Sequence, residues 1–508
     1  MSDLPKGWTE TTIREISENI NYGFTAKASQ INNGVKYLRI TDIQDNKVDW
    51  ETVPFCEISE NNSLKYLLEK GDVVFARTGA TTGKSFLIES CPKAVFASYL
   101  IKLRATGAVL PKFVAQFFQS HLYWQQITEN ISGSAQPNCN ASKLSTVKLL
   151  LPPLNEQKRI VEKLEKLLGK VEAVQARLDK IPAILKRFRQ AVLAAACSGK
   201  LTADWRLENP KPEPASELFL KISEERKRKF DEDCRLAVSE GRRKPKNQDT
   251  NKKSRNTVSD LPEIPDFWQY FRLEEISYLV TDGTHHTPIY ISEGTPFLSV
   301  KNVRPFLIRD KDIKFISKEQ HKEINQRCNP EKGDILYTKV GATYGYAAVN
   351  NLDYDFSIFV SLALIKPVPP FFDSKYAELV INSEVVFSQA RERVTGIGTP
   401  DLHLIEIRDF RIPLPPLEEQ KEIVRRVEDL FKFADQIEAR YKKARSYTDK
   451  LTQSILAKAF RGELVPQDET DEPASVLLER IKARREETES QTKNIKQIKA
   501  KTKNAVQK

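Results

Sequence analysis

The chain contains the stretch LPPLNEQKRIV at residues 151–161 and nearly repeats it as LPPLEEQKEIV at residues 414–424. Each copy opens a long run of regularly spaced apolar residues. A second copy so faithful and so distant indicates that the chain is built twice, with the same kind of long helix after each half. These two predicted helices are the landmarks of the sequence.

Apolar residues in both runs recur at alternating intervals of four and three residues. This spacing gives each helix a narrow apolar stripe, which needs a partner helix, and the simplest partner is the other long helix. The alternative, two helices buried in separate domain cores, is disfavoured because the stripe is narrow. The positions expected to carry the pairing are Ile160, Leu164, Leu167, Val171, Leu178, Ile423, Val427, Leu430, Ile437 and Leu451, and the same phase includes Val174, Ile181, Leu185, Phe188, Val192, Ala195, Ala434, Tyr441, Ala444, Thr448 and Ile455.

Residue types at the helix ends fit this interpretation. Pro153 and Pro416 suit a first helical turn, where a missing N–H costs nothing, and Glu156 and Glu419 lie where the helix dipole favours an anion. Because the tripeptide Glu-Gln-Lys recurs in both copies, a capping role explains it better than a nuclease motif does. Pro182 falls inside the first helix and should kink it or break one hydrogen bond. The expected C-terminal caps are Gly199 and Gly462.

A globular segment of mixed α/β character precedes each predicted helix. The stretch Lys70-Gly71-Asp72 and the strand after it align with Lys332-Gly333-Asp334, and other matching positions lie 260–263 residues apart. The expected fold class is therefore α+β, with two related domains joined by two long helices in an internal pseudo-twofold repeat. The predicted domains are two globular domains at residues 1–150 and 261–413, two long helices at 151–200 and 414–465, a charged helix with a flexible basic linker at 201–260, and a charged helix with a disordered tail at 466–508.

Composition limits the class of protein and partner. The 508-residue chain has a net charge of +11 and a pI near 9.1, which favours an anionic partner, most commonly nucleic acid. Its six cysteines form no CxxC pair and have no histidine at ligand-like spacing, as is typical of reduced cytosolic thiols. No apolar run reaches the ~18 residues needed to cross a membrane, and the first residues lack a signal peptide's apolar region. We expect a cytoplasmic protein.

Most catalytic signatures are missing from the sequence. The stretch 79–85, GATTGKS, resembles a phosphate-binding P-loop, but three residues separate its glycines where the motif requires four. Its counterpart at 341–346, GATYGY, has no lysine. The pair His285-His286 lies in a Gly/Thr/Pro loop, where a turn or contact residue is expected more often than a metal ligand. We therefore expect no metal and no cofactor in this chain, which leaves binding as its function.

Two loops in each globular domain carry residue types that bind DNA. One follows a strand (77–84 and 339–344), and the other precedes the long helix (132–138 and 395–400). Base edges are read by Arg, Lys, Asn, Gln, Ser and Thr, and glycines let the backbone approach phosphate. Ordinary surface turns have the same composition, so one such loop alone does not indicate DNA binding. The evidence is that both domains carry an equivalent pair of these loops. The candidate DNA-binding residues are Arg77, Thr78, Lys84, Gln136, Asn138, Lys301, Lys339, Thr343, Tyr344 and Thr399.

The order of globular domain, PPLxEQKxIV helix, globular domain and PPLxEQKxIV helix resembles the specificity subunit (HsdS) of type I restriction-modification systems. Three other features are similar to that family: the helix ends at 185–193 with 199–202 and at 451–464, the stretch TDGTHHTP at 281–288, and the Lys-Gly-Asp strands. The resemblance covers nearly the whole chain up to about residue 488.

This resemblance implies two target-recognition domains, each reading one half of a bipartite, asymmetric double-stranded DNA sequence. It implies that the long helices form an antiparallel coiled coil that sets the unread spacer; the residues alone leave the polarity open, because the linker at 201–260 serves either arrangement. It further implies two methyltransferase subunits, which modify adenine at N6 with S-adenosylmethionine, and restriction subunits that translocate DNA with ATP and Mg²⁺. Those cofactors belong to the partners, and this chain is expected to be non-catalytic.

Two other functions stay open at the level of sequence. One is a self-contained restriction enzyme or methyltransferase, which would turn over DNA without partners. The other is a stand-alone DNA-binding regulator, which would not co-purify with a methyltransferase. The sequence does not give the target bases or the spacer length.

Overall fold

The computed structural model describes residues 4–32, 34–44, 46–107, 109–131, 137–210, 212–239, 241, 261–395 and 398–487. They form two compact units, unit 1 from residues 1–179 and 442–508 and unit 2 from residues 180–441. Each unit mixes helices and β-sheets, as the predicted fold class requires. Within the described ranges, no helix combines the length and the apolar character needed to span a membrane.

Unit 1 is organised around a four-stranded antiparallel sheet in the order β2-β10-β7-β8. Smaller sheets pair β1 with β11, place β3 between β6 and β9, and join β4 to β5. The strands are β1 (Thr9–Thr12), β2 (Ser17–Tyr22), β3 (Val35–Leu38), β4 (Ile43–Gln44), β5 (Lys47–Val48), β6 (Phe55–Cys56), β7 (Asp72–Ala76), β8 (Ser85–Leu87), β9 (Ala94–Phe96), β10 (Leu100–Ala105) and β11 (Lys148–Leu151). The helices are α1 (Glu60–Tyr66), α2 (Pro111–Phe117), α3 (His121–Ile131), α4 (Ala141–Ser145) and α5 (Leu154–Leu178).

Unit 2 repeats this topology, with β13-β21-β18-β19, β12-β22, β17-β14-β20 and β15-β16 in the same places. The strands are β12 (Gln269–Arg272), β13 (Ser277–Asp282), β14 (Thr295–Leu298), β15 (Val303–Arg304), β16 (Leu307–Ile308), β17 (Lys314–Ile316), β18 (Ile335–Thr338), β19 (Ala347–Val349), β20 (Ser357–Ile358), β21 (Leu362–Pro367) and β22 (Arg411–Leu414). The helices are α6 (Ile181–Cys197), α7 (Ala203–Glu208), α8 (Ala215–Ser239), α9 (Leu273–Ile276), α10 (Lys318–Asn325), α11 (Ser374–Ile381), α12 (Glu384–Arg393), α13 (Leu404–Arg408) and α14 (Leu417–Phe460). A last helix, α15, covers 474–487 in unit 1. The predicted pair of related domains is therefore present.

The repeated Lys-Gly-Asp stretch has a structural explanation. Asp72 accepts the backbone N–H of Glu69 at 2.8 Å and pairs with the guanidinium of Arg104 on the neighbouring strand β10 at 2.7 Å. Asp334 and Lys366 make the equivalent pair at 2.6 Å in unit 2. A buried carboxylate needs such a charged partner, so the motif fixes the turn and the strand order together.

The two long sequence runs differ in the structure. In the first run, α5 ends at Leu178 and α6 begins at Ile181, so the predicted helix 151–200 is two helices. Pro182 lies in the first turn of α6, where its missing N–H is tolerated. In the second run α14 is uninterrupted over 44 residues. The predicted interruption near Pro182 is present and short, because only Asp179 and Lys180 separate the two helices and both keep right-handed helical backbone angles.

The repeated stretch itself joins each domain to its helix. Trp8 donates its indole N–H to the buried carboxylate of Glu156 at 3.0 Å. Gln157 is buried, donates to the Pro152 carbonyl at 3.0 Å and accepts the backbone N–H of Leu110, just before α2, at 3.1 Å. The predicted capping role of Glu156 is wrong, since its side chain faces the domain core. No side-chain hydrogen bond caps the start of α5.

In unit 2 the same stretch makes the same contacts. Trp268 donates to Glu419 at 2.8 Å, and Gln420 accepts the backbone N–H of Asp373, just before α11, at 2.9 Å. Glu419 receives two further bonds, from the Thr202 hydroxyl at 2.7 Å and the Arg206 guanidinium at 2.5 Å. The capping interpretation is wrong for Glu419 as well, because its carboxylate is fully buried among these donors.

Apolar packing ties the long helices into each unit. In unit 1, Ile160 and Leu164 of α5 share a core with Phe460 of α14, whose ring lies 5.2 Å from that of Phe113. In unit 2, Val192 of α6 shares a core with the beginning of α14. Fully burying a side chain such as that of Phe460 contributes on the order of 1.5–3 kcal/mol, so each globular core depends on its helices.

Candidate nucleic-acid interface

The two loops that the sequence singles out in the first domain lie against each other. The backbone N–H of Gly79 donates to the Pro137 carbonyl at 3.2 Å, and that of Cys139 donates to the Arg77 carbonyl at 2.9 Å. Thr78 and Asn138 face each other in an isolated β-bridge. The loops 77–84 and 137–139 therefore form one surface of unit 1. Gln136, another candidate, lies outside the described residues.

The corresponding loops meet in the same way in unit 2. The backbone N–H of Gly341 donates to the Pro400 carbonyl at 2.8 Å, and that of Leu402 donates to the Lys339 carbonyl at 2.9 Å. Residues 340 and 401 form the matching β-bridge. We call these two surfaces the loop pairs of unit 1 and unit 2.

Glycines shape the loop pairs through backbone conformation and close packing. Gly83 has φ +95°, and a Cβ atom there would lie 2.7 Å from the Trp124 ring. Gly345 has φ +94°, and its Cβ would lie 2.7 Å from the Phe387 ring. Phe387 also stacks on Tyr344 with ring centroids 5.6 Å apart. Backbone conformation at Gly79 (φ +81°) and at Gly83, together with close packing at Gly83, thus accounts for the glycines that made residues 79–85 resemble a P-loop.

The candidate side chains differ in their access to solvent. In unit 1, Lys84 and Asn138 are exposed and Thr78 is half-buried. In unit 2 the exposed candidates are Lys301 and Thr399, whereas Thr343 and Tyr344 are half-buried. Each loop pair therefore presents both long cationic or aromatic side chains and short polar ones, as a surface that contacts phosphates and base edges needs.

Arg77 is the half-buried cation at the base of the unit 1 loop pair. Its guanidinium carbon lies 4.9 Å from the centroid of the Tyr22 ring, a cation–π contact. Its Nε–H is buried and donates to no acceptor among the residues that the structure describes. The Tyr22 hydroxyl in turn accepts the backbone N–H of Ala141 at 3.0 Å. Arg77 is thus held in place by an aromatic face.

Lys339 takes the place of Arg77 in unit 2, but its surroundings are different. It is buried, and its ammonium lies 3.5 Å from the carboxylate of Asp282. Asp282 ends β13 as Tyr22 ends β2. The structure therefore does not bring the Lys339 side chain to the surface, because that side chain is committed to an internal ion pair.

Two further side chains reach Asp282, and the sequence did not predict either as a site residue. Arg327, which follows α10, pairs with Asp282 at 2.5 Å, and the ring of His285 lies 3.3 Å from the same carboxylate. The conspicuous pair His285-His286 was the only signal in the sequence. Nothing local marks Arg327, because it lies 45 residues from its partner.

We also looked for metal-binding groups and reactive cysteines among the described residues. No group of three or more His, Cys, Asp or Glu side chains there has a geometry that would hold a metal ion. Four of the six free cysteines are buried, namely Cys56, Cys139, Cys197 and Cys328.

Comparisons with known proteins point to one family. Residues 5–183 and 265–444 match the model described as type I restriction modification DNA specificity domain. The chain is 29% identical to the EcoKI specificity subunit of Escherichia coli K12 over 95% of this chain and 96% of that protein. It is 30% identical to the Escherichia coli EcoBI specificity subunit over 94% of this chain and 92% of that protein. A chain from a structure on the assembly and conformational transition of the type I R-M system is similar in fold, with a TM-score of 0.62, 21% identity and coverage of 91% of this chain and 100% of that one.

Proposed function

Because the chain belongs to the type I restriction-modification DNA specificity family, we propose that it selects the DNA target of a type I complex and has no catalytic activity of its own. The observation that carries this proposal is the repeated loop pair. Both units build the same surface from the same two segments, yet they place different side chains on it. Two such surfaces suit two domains that both bind DNA but recognise different base sequences.

Each unit, on this proposal, reads one half of a bipartite double-stranded DNA target. Exposed cationic side chains, including Lys84 in unit 1 and Lys301 in unit 2, would contact phosphate and fix the register. The short polar residues Asn138 and Thr399 would face base edges. The net charge of +11 supports an anionic partner.

The long helices, in the same proposal, form an antiparallel coiled coil that sets the unread spacer. Contacts inside unit 1 support this polarity: Gln175 of α5 bonds to Asp449 of α14 at 2.9 Å, and Asp179 pairs with Arg445 at 3.2 Å. Residue numbers thus rise along one helix as they fall along the other. Of the stripe positions, all except Val174 are buried or half-buried, which supports pairing along the predicted faces.

The rest of the complex would supply the chemistry. We propose that two methyltransferase subunits, using S-adenosylmethionine, dock on this chain, and that ATP- and Mg²⁺-dependent restriction subunits complete the assembly in the cytoplasm. The family of specificity subunits supports this division of work. The chain itself would hold none of these cofactors.

Mapping methylated adenines in DNA exposed to the reconstituted complex tests the proposal. Alanine variants of Arg77, Lys84 or Gln136 should alter one half of the recognised sequence, and variants of Thr343 or Tyr344 the other half. Lys339 is left unchanged, because its buried side chain pairs with Asp282. Methylation patterns that stay unchanged in all five variants would reject these loops as the readers.

Two controls separate the remaining functions. The purified chain incubated alone with DNA, Mg²⁺, ATP and S-adenosylmethionine should give no turnover, and any turnover would make it an enzyme. Failure to co-purify with a methyltransferase subunit would favour a stand-alone regulator.

A further inference from the structure

One buried carboxylate in unit 2 has three basic side chains around it. The side chain of Asp282 is 3% exposed, and its oxygens lie 2.5 Å from the Arg327 guanidinium, 3.3 Å from the His285 ring and 3.5 Å from the Lys339 ammonium. Lys339 is buried as well, with its side chain 6% exposed, so these two form the internal ion pair. Arg327 is therefore a second cation held by a carboxylate that already has a partner.

Arg327 and His285 lie at the edge of this cluster. Each of their side chains is 55% exposed, so the carboxylate holds them from the protein side while their remaining polar groups face solvent. A guanidinium has five N–H donors in a planar fork, and Asp282 takes one of them. A guanidinium that is hydrogen-bonded to a buried carboxylate keeps its orientation, whereas a surface arginine without such a bond samples many rotamers.

The position of the cluster connects it to the loop pair of unit 2. Lys339 begins the first loop and, through its carbonyl, accepts the N–H of Leu402 from the second. Asp282 is itself fixed by the sheet, because it is the last residue of β13 and pairs with Ala363 on β21. Arg327 is thus anchored to the same rigid base as the two loops.

We propose that Arg327 reads a base of the second half-site and that Asp282 is the positioning residue that orients it. This inference rests on the proposed function of unit 2 as a DNA reader. A planar fork held in one orientation suits the paired O6 and N7 acceptors of guanine, the commonest specific contact of arginine. Unit 1 holds a cation differently: Arg77 lies against the ring of Tyr22, which ends β2 as Asp282 ends β13.

The test measures binding of the full chain, with its methyltransferase subunits, to DNA libraries randomised at each target position. Arg327→Ala should weaken binding to the intact target by about 10- to 100-fold and relax one position of the second half-site. The first half-site should be read as before. Lys322→Ala, which removes an exposed cation from the adjacent helix α10, is the matched control and should keep every position.

A phosphate contact would give a different result, and it would overturn the proposal. Arg327→Ala would then weaken binding equally to all sequences and lower the slope of affinity against salt by about one. Unchanged binding and preference would overturn it as well. If the wild-type complex has no preference at the second half-site, the proposed function itself fails, so the two failures are distinguishable.

The positioning role of Asp282 needs its own variants. Arg327→Lys keeps the charge without the fork and should lose the base preference while keeping the salt slope. Asp282→Asn should lose the same preference, with hydrogen exchange of unit 2 confirming that the domain is folded. Retention of full preference in Arg327→Lys would overturn base reading, even where Asp282→Asn does not fold.

Discussion

The indole N–H of Trp268 donates a 2.8 Å hydrogen bond to the buried carboxylate of Glu419. The same bond recurs in unit 1 between Trp8 and Glu156, where it is 3.0 Å long. The two carboxylates differ in every other contact. Glu419 pairs with Arg206 and Thr202, whereas the second oxygen of Glu156 is buried without a hydrogen-bond partner in the described residues.

The sequence explains this asymmetry, and it leads to a prediction about stability. Val465 and Glu469 take the places of Thr202 and Arg206 in the second repeat. Burial raises the pKa of Glu156 above its usual value, with Trp8 and Arg159 opposing that shift. Glu419→Gln should destabilise unit 2 by about 3 kcal/mol, because it leaves Arg206 without its buried partner. Glu156→Gln should change the stability of unit 1 by less than about 1 kcal/mol, since the amide still accepts the Trp8 bond and removes a buried charge.

Hydrogen exchange of the β1 and β12 peptides measures the two effects separately in one chain, because each peptide reports the opening of its own unit. Each variant serves as the control for the other. Equal losses of stability in both variants would show that Arg206 does not stabilise the contact between the domain and its long helix in unit 2.

How far the sequence predicted the fold depends on the distance between interacting residues. The spacing of Ile160, Leu164 and Ile423 predicted which faces are buried, because a helical period is local information. The partners of Glu156 and Gln157 could not be predicted that way. Trp8 and Leu110 come from segments far away in the sequence, so a buried carboxylate was taken for a helix cap.

The pH dependence of stability should differ between the units because of Glu378 on α11. Burial raises its pKa to about 7, while the Val349 N–H and Lys375 lower it and Glu428 raises it further. The folded state then binds a proton that the unfolded chain releases above its ordinary pKa of 4.5. Stability from this group is full below about pH 4.5 and is lost as pH rises through about 7, by up to about 3 kcal/mol.

Glu378→Gln should therefore stabilise unit 2 above pH 7 and flatten its stability between pH 5 and 7. The amide oxygen can still accept the Val349 N–H, which the carboxylate accepts at 2.8 Å. Hydrogen exchange of peptides from the core of unit 2, followed at several pH values, measures this change in stability. Unit 1, which has Ala115 at the matching position, is the internal control. A pH profile that is the same in the variant and the wild type would contradict the role of Glu378.

Burial should also protect the cysteines from alkylating reagents. It raises the pKa of Cys139 to about 11 and that of Cys328 to about 12, so almost no thiolate is present at pH 8. Half-buried Cys234 should be labelled first in the native protein, and Cys139 and Cys328 only after unfolding. Peptide mapping after timed labelling checks the order, with all six thiols labelled in denaturant as the control. Rapid native labelling of Cys139 would contradict its burial.

The candidate site, like the fold, could be predicted from local sequence patterns but not where it depends on contacts between residues distant in the sequence. The composition of loops 77–84 and 132–138 was visible, but their backbone contact through Gly79 and Pro137 depends on the sheet that brings them together. Arg77 and Lys339 looked equivalent in sequence. Their different roles come from the end of the strand two places away in the sheet, where one domain has Tyr22 and the other Asp282.

The length of the paired helices should set the spacer of the DNA target. One heptad keeps the stripe in phase and lengthens a helix by about 10 Å, roughly three base pairs of rise. Both helices need the insertion, because each step along α5 is matched by a step back along α14, as Gln175 with Asp449 and Asp179 with Arg445 indicate. Insertions between residues 171 and 172 and between 452 and 453 would therefore face each other.

The complex that contains the doubly extended chain should methylate a target whose half-sites are unchanged and whose spacer is longer by about three base pairs. Methylation-sensitive sequencing of DNA exposed to the complex measures both features at once. A two-residue insertion at the same two places is the control. It turns the stripe by about 200° and should impair assembly, because apolar residues beyond the insertion no longer face each other. A heptad variant that assembles and keeps the original spacer would mean that another part of the complex fixes the distance between the two readers.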